Sequence, residues 1–512
     1  MMHRREWIIR ESGSAGKIVG RGILLVASLL SLTLAANAQE TSGVTPSTSA
    51  GSVIKGKAPV AKKLLTVRFP RPKSFTLSNG LAVYVLEDHR MPAVRLRLMM
   101  RAGSLYEPKP GVAETTAAML TEGTEKRSYL QLAEVTADMG ASLFASAGAD
   151  TATISASGLS ETTDTLIGLM AEVLMHPSFP SDRLDRIKYQ QASQVAQRRS
   201  NPAALTADLS ARVYYGGTPY SLPSPKAAEI EALTTADLTA FHAARYRPNG
   251  ALLGVSGDVD LNHLKKSLEA ALADWKPGAQ TVDLPAADFK PHETTRIYLV
   301  DRPNSAQTVL QFGNLSVRQN DPDYIPLVVA NRILGGGSSG RLFQNIREQK
   351  GYTYGAYSNL PAGRWPAVWG ASASVRTPVT EPAVREFFRE FDRLQDESVP
   401  AEELEQAKRS IIGSFAGTLE NPDGILGRTL ELVQNGMPLD YWDTYPAHIQ
   451  AVTAEDVQRV ARKYLGKDRI QLIAVGERAQ IEEGLKKFGP VEEVDASELG
   501  GVGGGRGGGR RR

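Results

Sequence analysis

The pattern of hydrophobic and polar positions repeats once along the chain. Residues 81–89 and 93–100 are rich in apolar residues and are separated by a short polar turn, which predicts a pair of strands. Residues 296–301 and 307–312 predict a second pair of the same form. Tyr84 and Tyr298, which hold equivalent places in the two pairs, are 214 residues apart.

A second set of landmarks repeats at nearly the same interval. Each copy has a Thr-x-x-Asp helix start, then a tyrosine, an apolar strand and a glycine. The landmarks are Thr234, Tyr246 and Gly257 in the first copy, and Thr453, Tyr464 and Gly476 in the second. The tyrosines are 218 residues apart and the glycines 219. Landmarks that recur in the same order at one interval indicate an internal duplication.

Helical periodicity fills the middle of each copy. The predicted helices cover 129–139, 163–175 and 182–198 in the first copy, and 325–334, 382–397 and 401–419 in the second. Strands at the ends with helices between them favour the α+β class. We predict two duplicated domains, each a mixed β-sheet covered on one face by helices, arranged as a clamp. The predicted domains are 73–275 and 293–489, joined by a linker at 276–292.

Composition and charge locate the segments outside these domains. Residues 1–38 hold a basic start, an apolar run and a small-x-small site, which predicts a secretory signal peptide; an uncleaved membrane anchor is the alternative. A flexible linker is predicted at 39–72 and a disordered Gly/Arg tail at 490–512. The formal net charge of +3 resides in the signal, so the remainder has no basic excess for nucleic acid or an anionic membrane.

The chain has no cysteine and seven histidines. Thiolate metal sites, disulfides and a cysteine nucleophile are therefore excluded, and any transition-metal site must use histidines and carboxylates. Beyond the signal, the closest pair of histidines is His242 and His263, 21 residues apart. This spacing does not place two imidazoles on one turn of a helix, so each histidine is expected to be structural.

Several longer motifs resemble the pitrilysin/insulinase family of zinc peptidases. The resemblance runs from about residue 75 to about residue 489, and no single motif carries it alone. The motifs are Leu-Ser-Asn-Gly-Leu-Ala-Val-Tyr at 77–84, Arg-Ala-Gly-Ser-Leu-Tyr-Glu at 101–107, Gly-Val-Ala at 111–113, Met-Leu-Thr-Glu-Gly-Thr at 119–124, Gly-Asp-Val at 257–259, and Leu-Gly-Gly-Gly-Ser-Ser-Gly-Arg-Leu-Phe at 334–343.

The zinc motif of that family is absent from the matching helix. Active members carry His-x-x-Glu-His after Gly-Val-Ala, so that two imidazoles on one helix face bind the ion. Here Glu114 and Ala118 stand at the histidine positions and Ala117 at that of the glutamate. The later helix has Ser193 and Gln194 where the family places a third, acidic ligand. The resemblance therefore implies that this chain binds no metal. Glu114 is then expected to be a solvated carboxylate in the first turn of the helix.

The second copy retains features that the family uses at its active site. Arg347 and Tyr354, seven residues apart, match an arginine and a tyrosine that hold the substrate and stabilise the oxyanion from across the clamp. Gly335, Gly336 and Gly337 match a glycine-rich segment of non-catalytic subunits, which we interpret as a flexible turn lining the clamp. The alternative for the Arg347 and Tyr354 pair is that Arg347 is a surface arginine on an amphipathic helix and Tyr354 is a tyrosine in the core.

The resemblance implies a non-catalytic subunit of an exported, periplasmic or extracellular heterodimeric zinc metalloendopeptidase. Its partner would be a sister subunit that carries His-x-x-Glu-His and the zinc ion, and its substrate an unfolded peptide. Nucleic acid is not expected as a partner, nor is a membrane after signal cleavage. Two alternatives remain: a stand-alone peptide-binding or assembly scaffold of the same fold, as in a respiratory complex, and a self-sufficient hydrolase with an atypical site.

Overall fold

The computed structural model describes residues 67–221, 224–279 and 287–499. The predicted signal peptide at 1–38, the linker up to residue 66 and the Gly/Arg tail from residue 500 lie outside the described residues. Within the described ranges, every helix is too short or too polar to cross a bilayer.

The N-terminal half contains six strands and eight helices among its described residues. The strands are β1 (Lys73–Thr76), β2 (Ala82–Glu87), β3 (Ala93–Met100), β4 (Ser142–Ala147), β5 (Ala152–Leu159) and β6 (Leu252–Gly257). The helices are α1 (Val112–Met119), α2 (Tyr129–Asp138), α3 (Thr163–Met175), α4 (Ser181–Ser200), α5 (Pro202–Tyr215), α6 (Ala227–Glu231), α7 (Thr235–Arg245) and α8 (Leu261–Ala271).

The C-terminal half has a corresponding set of elements. Its strands are β7 (Arg296–Asp301), β8 (Gln307–Leu315), β9 (Thr353–Asn359), β10 (Val368–Arg376), β11 (Gln471–Gly476) and β12 (Val491–Glu493). Its helices are α9 (Tyr324–Leu334), the π-helix Phe343–Gln349, α10 (Thr380–Asp396), α11 (Ala401–Thr418), α12 (Pro422–Asn435), α13 (Tyr441–Ala451), α14 (Ala454–Tyr464) and α15 (Arg478–Leu485).

The two sheets share the order of five of their six strands, which confirms the predicted duplication and the α+β class. The sixth strand differs, because β1 pairs antiparallel with β2 and β12 pairs parallel with β7. The N-terminal sheet runs β1-β2-β6-β3-β5-β4, and the C-terminal sheet runs β12-β7-β11-β8-β10-β9. Parallel pairing of β2 with β6 recurs as β7 with β11, while the other shared pairs are antiparallel. Both sheets are therefore mixed, and β4 and β9 occupy equivalent edge positions.

Alternating strand residues build one core on the helical face of each sheet. In the N-terminal half, Val83, Leu96 and Ile154 are fully buried against helices that include α3 and α7. In the C-terminal half, Phe312 stacks on Phe387 of α10, with ring centroids 4.5 Å apart. Burying one face of a strand requires apolar residues at every second position, which explains the alternation seen in the sequence.

Each half also extends one helix onto the second face of the other half's sheet. Helix α5 packs on β11 and β8, while α12 packs on β6 and β2. Both helices begin in the same way, because Asn201 and Asn421 cap them and a proline follows each asparagine. We predicted that helices cover one face of each sheet. The exchanged helices also cover part of the second face, and they connect the two halves.

Packed residues extend beyond the predicted domains at three places. The C-terminal domain does not end at residue 489, because β12 pairs with β7 and Leu499 is buried in the cluster with α5. The linker predicted at 39–72 is ordered at its end, where Phe69 stacks on Phe415. The described end of the linker at 276–292 also packs, with Phe289 5.1 Å from the ring of Tyr220. Short apolar contacts of this kind are not visible in a polar, proline-containing sequence.

Asp323, at the start of α9, links that helix to α14. It accepts hydrogen bonds from Arg459, Lys463 and Tyr464 at 2.5–2.8 Å. Burial raises the pKa of Asp323, but these hydrogen bonds outweigh burial and bring the pKa down to about 2. Since the folded pKa is below the unfolded one, the carboxylate stabilises the fold above about pH 4, and this stabilisation is lost as the pH falls toward 2.

We therefore expect Asp323→Asn to lower the free energy of unfolding by about 1–2 kcal/mol at pH 7. The difference from the wild type should shrink between pH 5 and pH 3. Urea unfolding at several pH values measures both quantities. A deficit that stays constant over this range would mean that the charge of Asp323 is not what stabilises the junction.

Candidate functional site

Helix α1, where the family would carry its zinc motif, is fixed by a partly buried carboxylate. The Oε1 of Glu107 accepts a hydrogen bond from the backbone N–H of Gly111 at 3.0 Å, and Oε2 accepts one from Ala113 at 3.1 Å. Burial raises the pKa of Glu107, and the two backbone hydrogen bonds oppose this. Gly111 has a φ of 84°, a left-handed conformation that glycine adopts without strain. The scaffold of the helix start is intact.

The side chains of α1 do not fit a zinc ion. Glu114 is exposed, Ala117 is fully buried, and Ala118 is partly buried against the core. A methyl group offers no lone pair, so two of the three motif positions contribute nothing to a metal or its water. The structure thus places Glu114 alone on the surface, without the imidazole neighbour that a site on this helix would require.

The third-ligand position is also neutral. On α4, the Oγ of Ser193 donates a hydrogen bond to the backbone carbonyl of Tyr189 at 2.7 Å, and Gln194 is exposed. Gln191 of α4 does contact α1, because its Oε1 accepts a hydrogen bond from Thr115 at 2.8 Å. The sequence reasoning missed Gln191. Its position three helical residues before Gln194 was the available signal, because residues i and i+3 share a face.

The described histidines have structural surroundings. His89, His176 and His263 lie beside carboxylates, His242 and His292 contact backbone carbonyls, and His448 borders a surface groove. Burial lowers the pKa of His242, which packs against Tyr246. Among the described residues, there is no group of three or more histidine, aspartate or glutamate side chains that could hold a metal ion.

Arg347 and Tyr354 lie on neighbouring elements at the edge of the C-terminal sheet. Arg347 is in the last turn of the π-helix, which packs on β9, and Tyr354 is the second residue of β9. The Arg347 side chain is 42% exposed and pairs with Glu348. Tyr354 is 93% exposed, so the alternative of a core tyrosine is wrong. Both polar groups are thus available to a molecule outside the sheet.

The Arg347 guanidinium is oriented by a short aromatic stack. It lies 5.3 Å from the ring centre of Phe343, and Phe343 lies 5.6 Å from the ring of Tyr357. A cation over an aromatic face is held electrostatically, which limits the positions that the guanidinium samples. Tyr357 is on β9 and is 45% exposed. Arg347, Phe343 and Tyr357 therefore form one cluster at this edge, and Tyr354 is exposed on the same strand as Tyr357.

The glycine-rich segment is a tight, pinned turn. A β-carbon at Gly335 would lie 2.6 Å from the backbone nitrogen of Ser358 on β9, and one at Gly336 would lie 2.9 Å from the Cα of Arg332. The Arg332 guanidinium donates a hydrogen bond to the carbonyl of Gly336. Gly337 is likewise close to that guanidinium. These glycines therefore permit a close approach of the backbone. Their contacts hold the turn in place, in contrast to the flexible turn that the sequence predicts.

The last three strands at one end of each sheet carry the same row of polar and aromatic side chains. The row lies on the face that receives the exchanged helix, here called the open face. Arg97, Ser155 and Phe144 are cross-strand neighbours on β3, β5 and β4. Gln311, Ser372 and Tyr357 are cross-strand neighbours on β8, β10 and β9. Phe144 is 55% exposed. Each open face thus ends in an exposed aromatic ring at an edge strand.

The two sets of site residues lie at the equivalent edge strands β4 and β9, but on helices that are not counterparts in the duplication. By chain order, α1 corresponds to α9 and the π-helix corresponds to α2. Helix α1, with Glu114, Ala117 and Ala118, packs on β4, whereas the π-helix, with Arg347, packs on β9. One edge therefore has the peptidase scaffold without its ligands, and the other has donors of hydrogen bonds. A guanidinium and a phenol can hold a peptide carbonyl or an oxyanion, but neither can activate water alone.

Two family models match the chain. The model of insulinase, peptidase family M16, matches residues 82–225. The model described as the peptidase M16 inactive domain matches residues 232–411. Together the two matches reach into both halves of the duplication and include α1, the glycine-rich turn, Arg347 and Tyr354.

Curated relatives and a solved structure agree with these matches. An uncharacterised zinc protease of Streptomyces coelicolor is 23% identical over 460 residues, which cover 88% of this chain and 92% of that protein. The non-peptidase homologue YmxG of Helicobacter pylori is 24% identical over 378 residues, covering 72% and 86%. A crystal structure of a peptidase M16 inactive domain from Pseudomonas fluorescens is 28% identical with a TM-score of 0.72, covering 79% of this chain and 98% of that one.

Proposed function

This chain belongs to peptidase family M16, the insulinase family, and from that membership we propose that it is the non-catalytic subunit of an exported heterodimeric zinc endopeptidase. It pairs with a sister subunit that carries His-x-x-Glu-His and zinc. It contributes Arg347 and Tyr354 to that subunit's active site, where an unfolded peptide is cleaved.

One observation carries the proposal: the two halves differ in what their edges retain. The positions of the zinc motif hold an exposed carboxylate and two methyl groups, whereas Tyr354 is 93% exposed on β9 beside the π-helix of Arg347. An exposed tyrosine ring leaves its apolar surface in contact with water, which is unfavourable. A partner surface or a bound substrate would bury that surface. A structural role inside this chain does not account for that exposure.

The edge strands suggest how a peptide is held. In the described residues, β4 pairs only with β5, and β9 pairs only with β10. A free strand edge can hydrogen-bond an extended peptide through its backbone, largely independently of sequence. Phe144 and Tyr357 then supply apolar contacts beside the added strand. An unfolded peptide can adopt the extended backbone that pairs with such an edge.

Co-expression with a sister chain tests the proposal. The mature chain from Gln39 is produced alone, the His-x-x-Glu-His sister is produced alone, and the two are produced together. We expect the two chains to co-elute on size exclusion. Cleavage of a quenched fluorescent peptide is expected from the pair and not from this chain alone. Zinc, measured by metal analysis, should accompany the sister.

Two results would contradict the proposal. Stoichiometric zinc together with peptide cleavage by this chain alone would establish a self-sufficient hydrolase. Separate elution of the two chains, with full activity in the sister alone, would remove any need for this subunit. Export is tested independently by sequencing the N-terminus of the secreted chain, which should begin at Gln39.

A stand-alone peptide-binding scaffold is the second candidate. The observation in its favour is the relative from Helicobacter pylori described as a non-peptidase homologue, which matches 72% of this chain. In that case the edge strands would bind peptide without any cleavage. Peptide binding by the isolated chain, combined with the failure of every His-x-x-Glu-His chain to co-purify, would favour the scaffold over the heterodimer.

A further inference from the structure

A pocket of about 200 Å³ lies on the open face of the N-terminal sheet, where α12 crosses it. Arg97 and Ser155 form its floor, and Asp423 and Gly427 of α12 form its wall. A β-carbon at Gly427 would lie 3.8 Å from Nη1 of Arg97. Because Gly427 has no side chain, there is space beside the guanidinium, and a ligand can approach the guanidinium from the open face.

The pocket carries one positive charge in excess. The Asp423 carboxylate is already paired, because Oδ2 lies 3.0 Å from Nη1 of Arg95 and Oδ1 accepts a hydrogen bond from Ser256 at 2.7 Å. Arg97 lies two residues after Arg95 on β3 and is exposed. It forms no ion pair with any described residue. An exposed guanidinium that lines a pocket and has no ion-pair partner can bind a carboxylate of a ligand.

The duplicated half shows that this charge is not required by the fold. The equivalent pocket, beside α5, is lined by Gln311, Ser372 and Tyr357, and its described lining contains no charged side chain. Gln311 occupies the place of Arg97 in the row of cross-strand neighbours. The same architecture therefore forms with a neutral amide, and the arginine is a feature of the N-terminal pocket alone.

We propose that this pocket binds the carboxylate of an aspartate or glutamate side chain in the bound peptide, so that this chain selects acidic peptides. This rests on the proposed function, which places a peptide along the edge strands. The volume is below the roughly 300–1,000 Å³ of pockets for small-molecule ligands and suits one side chain. The Arg97 guanidinium pairs with the carboxylate, the Ser155 hydroxyl donates a further hydrogen bond, and the Phe144 ring covers the aliphatic part.

Fluorescence anisotropy on the mature chain tests the proposal with three rhodamine-labelled unstructured peptides. The first contains one glutamate and an amidated C-terminus, the second has glutamine in its place, and the third has glutamine and a free C-terminal carboxylate. We expect the glutamate peptide to bind about 10-fold more tightly than the other two at low salt. Arg97→Gln, which introduces the residue of the other half, should abolish the preference. Arg389→Gln, an exposed arginine of α10, should retain it.

The outcomes separate this proposal from the proposed function. Equal binding of all three peptides by the wild type, or a preference that survives Arg97→Gln, would overturn the acidic pocket while leaving peptide binding in place. Preference for the free C-terminal carboxylate over the glutamate side chain would also overturn it. Failure to bind any of the three would contradict peptide binding itself. Gln311→Arg provides a gain-of-function check, because it should add a second preference for acidic peptides.

Discussion

Replacing Arg347 by alanine is expected to lower kcat/KM of the heterodimer about 100-fold, with the two chains still bound to each other. Removing one donor that stabilises a developing oxyanion commonly reduces the rate by about 100- to 1,000-fold. Arg347 is 42% exposed and stacks on Phe343, so its loss removes few contacts from the core. A fall in kcat rather than a rise in KM would place its contribution in the transition state.

Matched variants separate this role from a general effect of charge. Arg389→Ala removes an arginine of α10 that is 60% exposed and should leave the rate unchanged. Tyr354→Phe removes only the phenolic hydroxyl and should also lower kcat, whereas Tyr189→Phe, on the 75% exposed ring of α4, should not. Equal rates for Arg347→Ala, Tyr354→Phe and the wild-type pair would exclude the trans contribution.

Replacing Gly257 by alanine is expected to destabilise the N-terminal half by about 4 kcal/mol or more, enough to prevent folding of many domains. Gly257 ends β6 with a φ of 124°, and a β-carbon there would lie 1.9 Å from the carbonyl oxygen of Ala93. That carbonyl also accepts the hydrogen bond of Asp258 at 2.9 Å. The clash is between backbone and β-carbon, so no side-chain rotation relieves it, and β3 must separate from β6.

Gly140→Ala provides the control for the cost of backbone conformation. Gly140 has a φ of 57°, but a β-carbon there would meet nothing within 4 Å. Its replacement should therefore cost only about 1–2 kcal/mol, the ordinary penalty of the left-handed region. Thermal unfolding and soluble yield measure both variants. Equal stabilities would mean that the close approach of Gly257 to Ala93 does not constrain the sheet.

Much of the fold follows from the periodicity of the sequence. The two strand pairs around Tyr84 and Tyr298 do lie at equivalent places in two sheets, and Thr234 and Thr453 do cap helices in both halves. These features are local: alternation predicts a strand, and Thr-x-x-Asp predicts a helix start. They could therefore be identified without knowledge of the tertiary contacts.

The exchange of α5 and α12 was not predicted, because an apolar helix face does not specify which sheet it covers. Pairing of these helices with the opposite half is decided by tertiary packing, such as that of Leu430 against Gly254. A usable signal was present, since Asn-Pro at 201–202 recurs at 421–422. The strand β12 was missed because three residues after Pro490 are too few to show alternation.

The surroundings of the site residues could be predicted only in part. In a regular strand, Tyr354 and Tyr357 would point to opposite faces, because successive side chains alternate. The pairing of β9 with β10 shifts register between Ala373 and Val375, which interrupts this alternation. Both tyrosines are exposed as a result. The extra residue lies in β9 itself, between Thr353 and Ala356, and Gly355 within the strand was the available signal.

Titration of the zinc-bearing sister with this chain tests the central claim most directly. We expect peptide cleavage to rise with added chain and to reach a plateau at one chain per sister. The double variant Arg347→Ala, Tyr354→Phe should bind the sister with unchanged affinity but reach a plateau about 100-fold lower. A sister that cleaves equally well without this chain, or a double variant that reaches the wild-type plateau, would contradict the proposal that this subunit completes the active site.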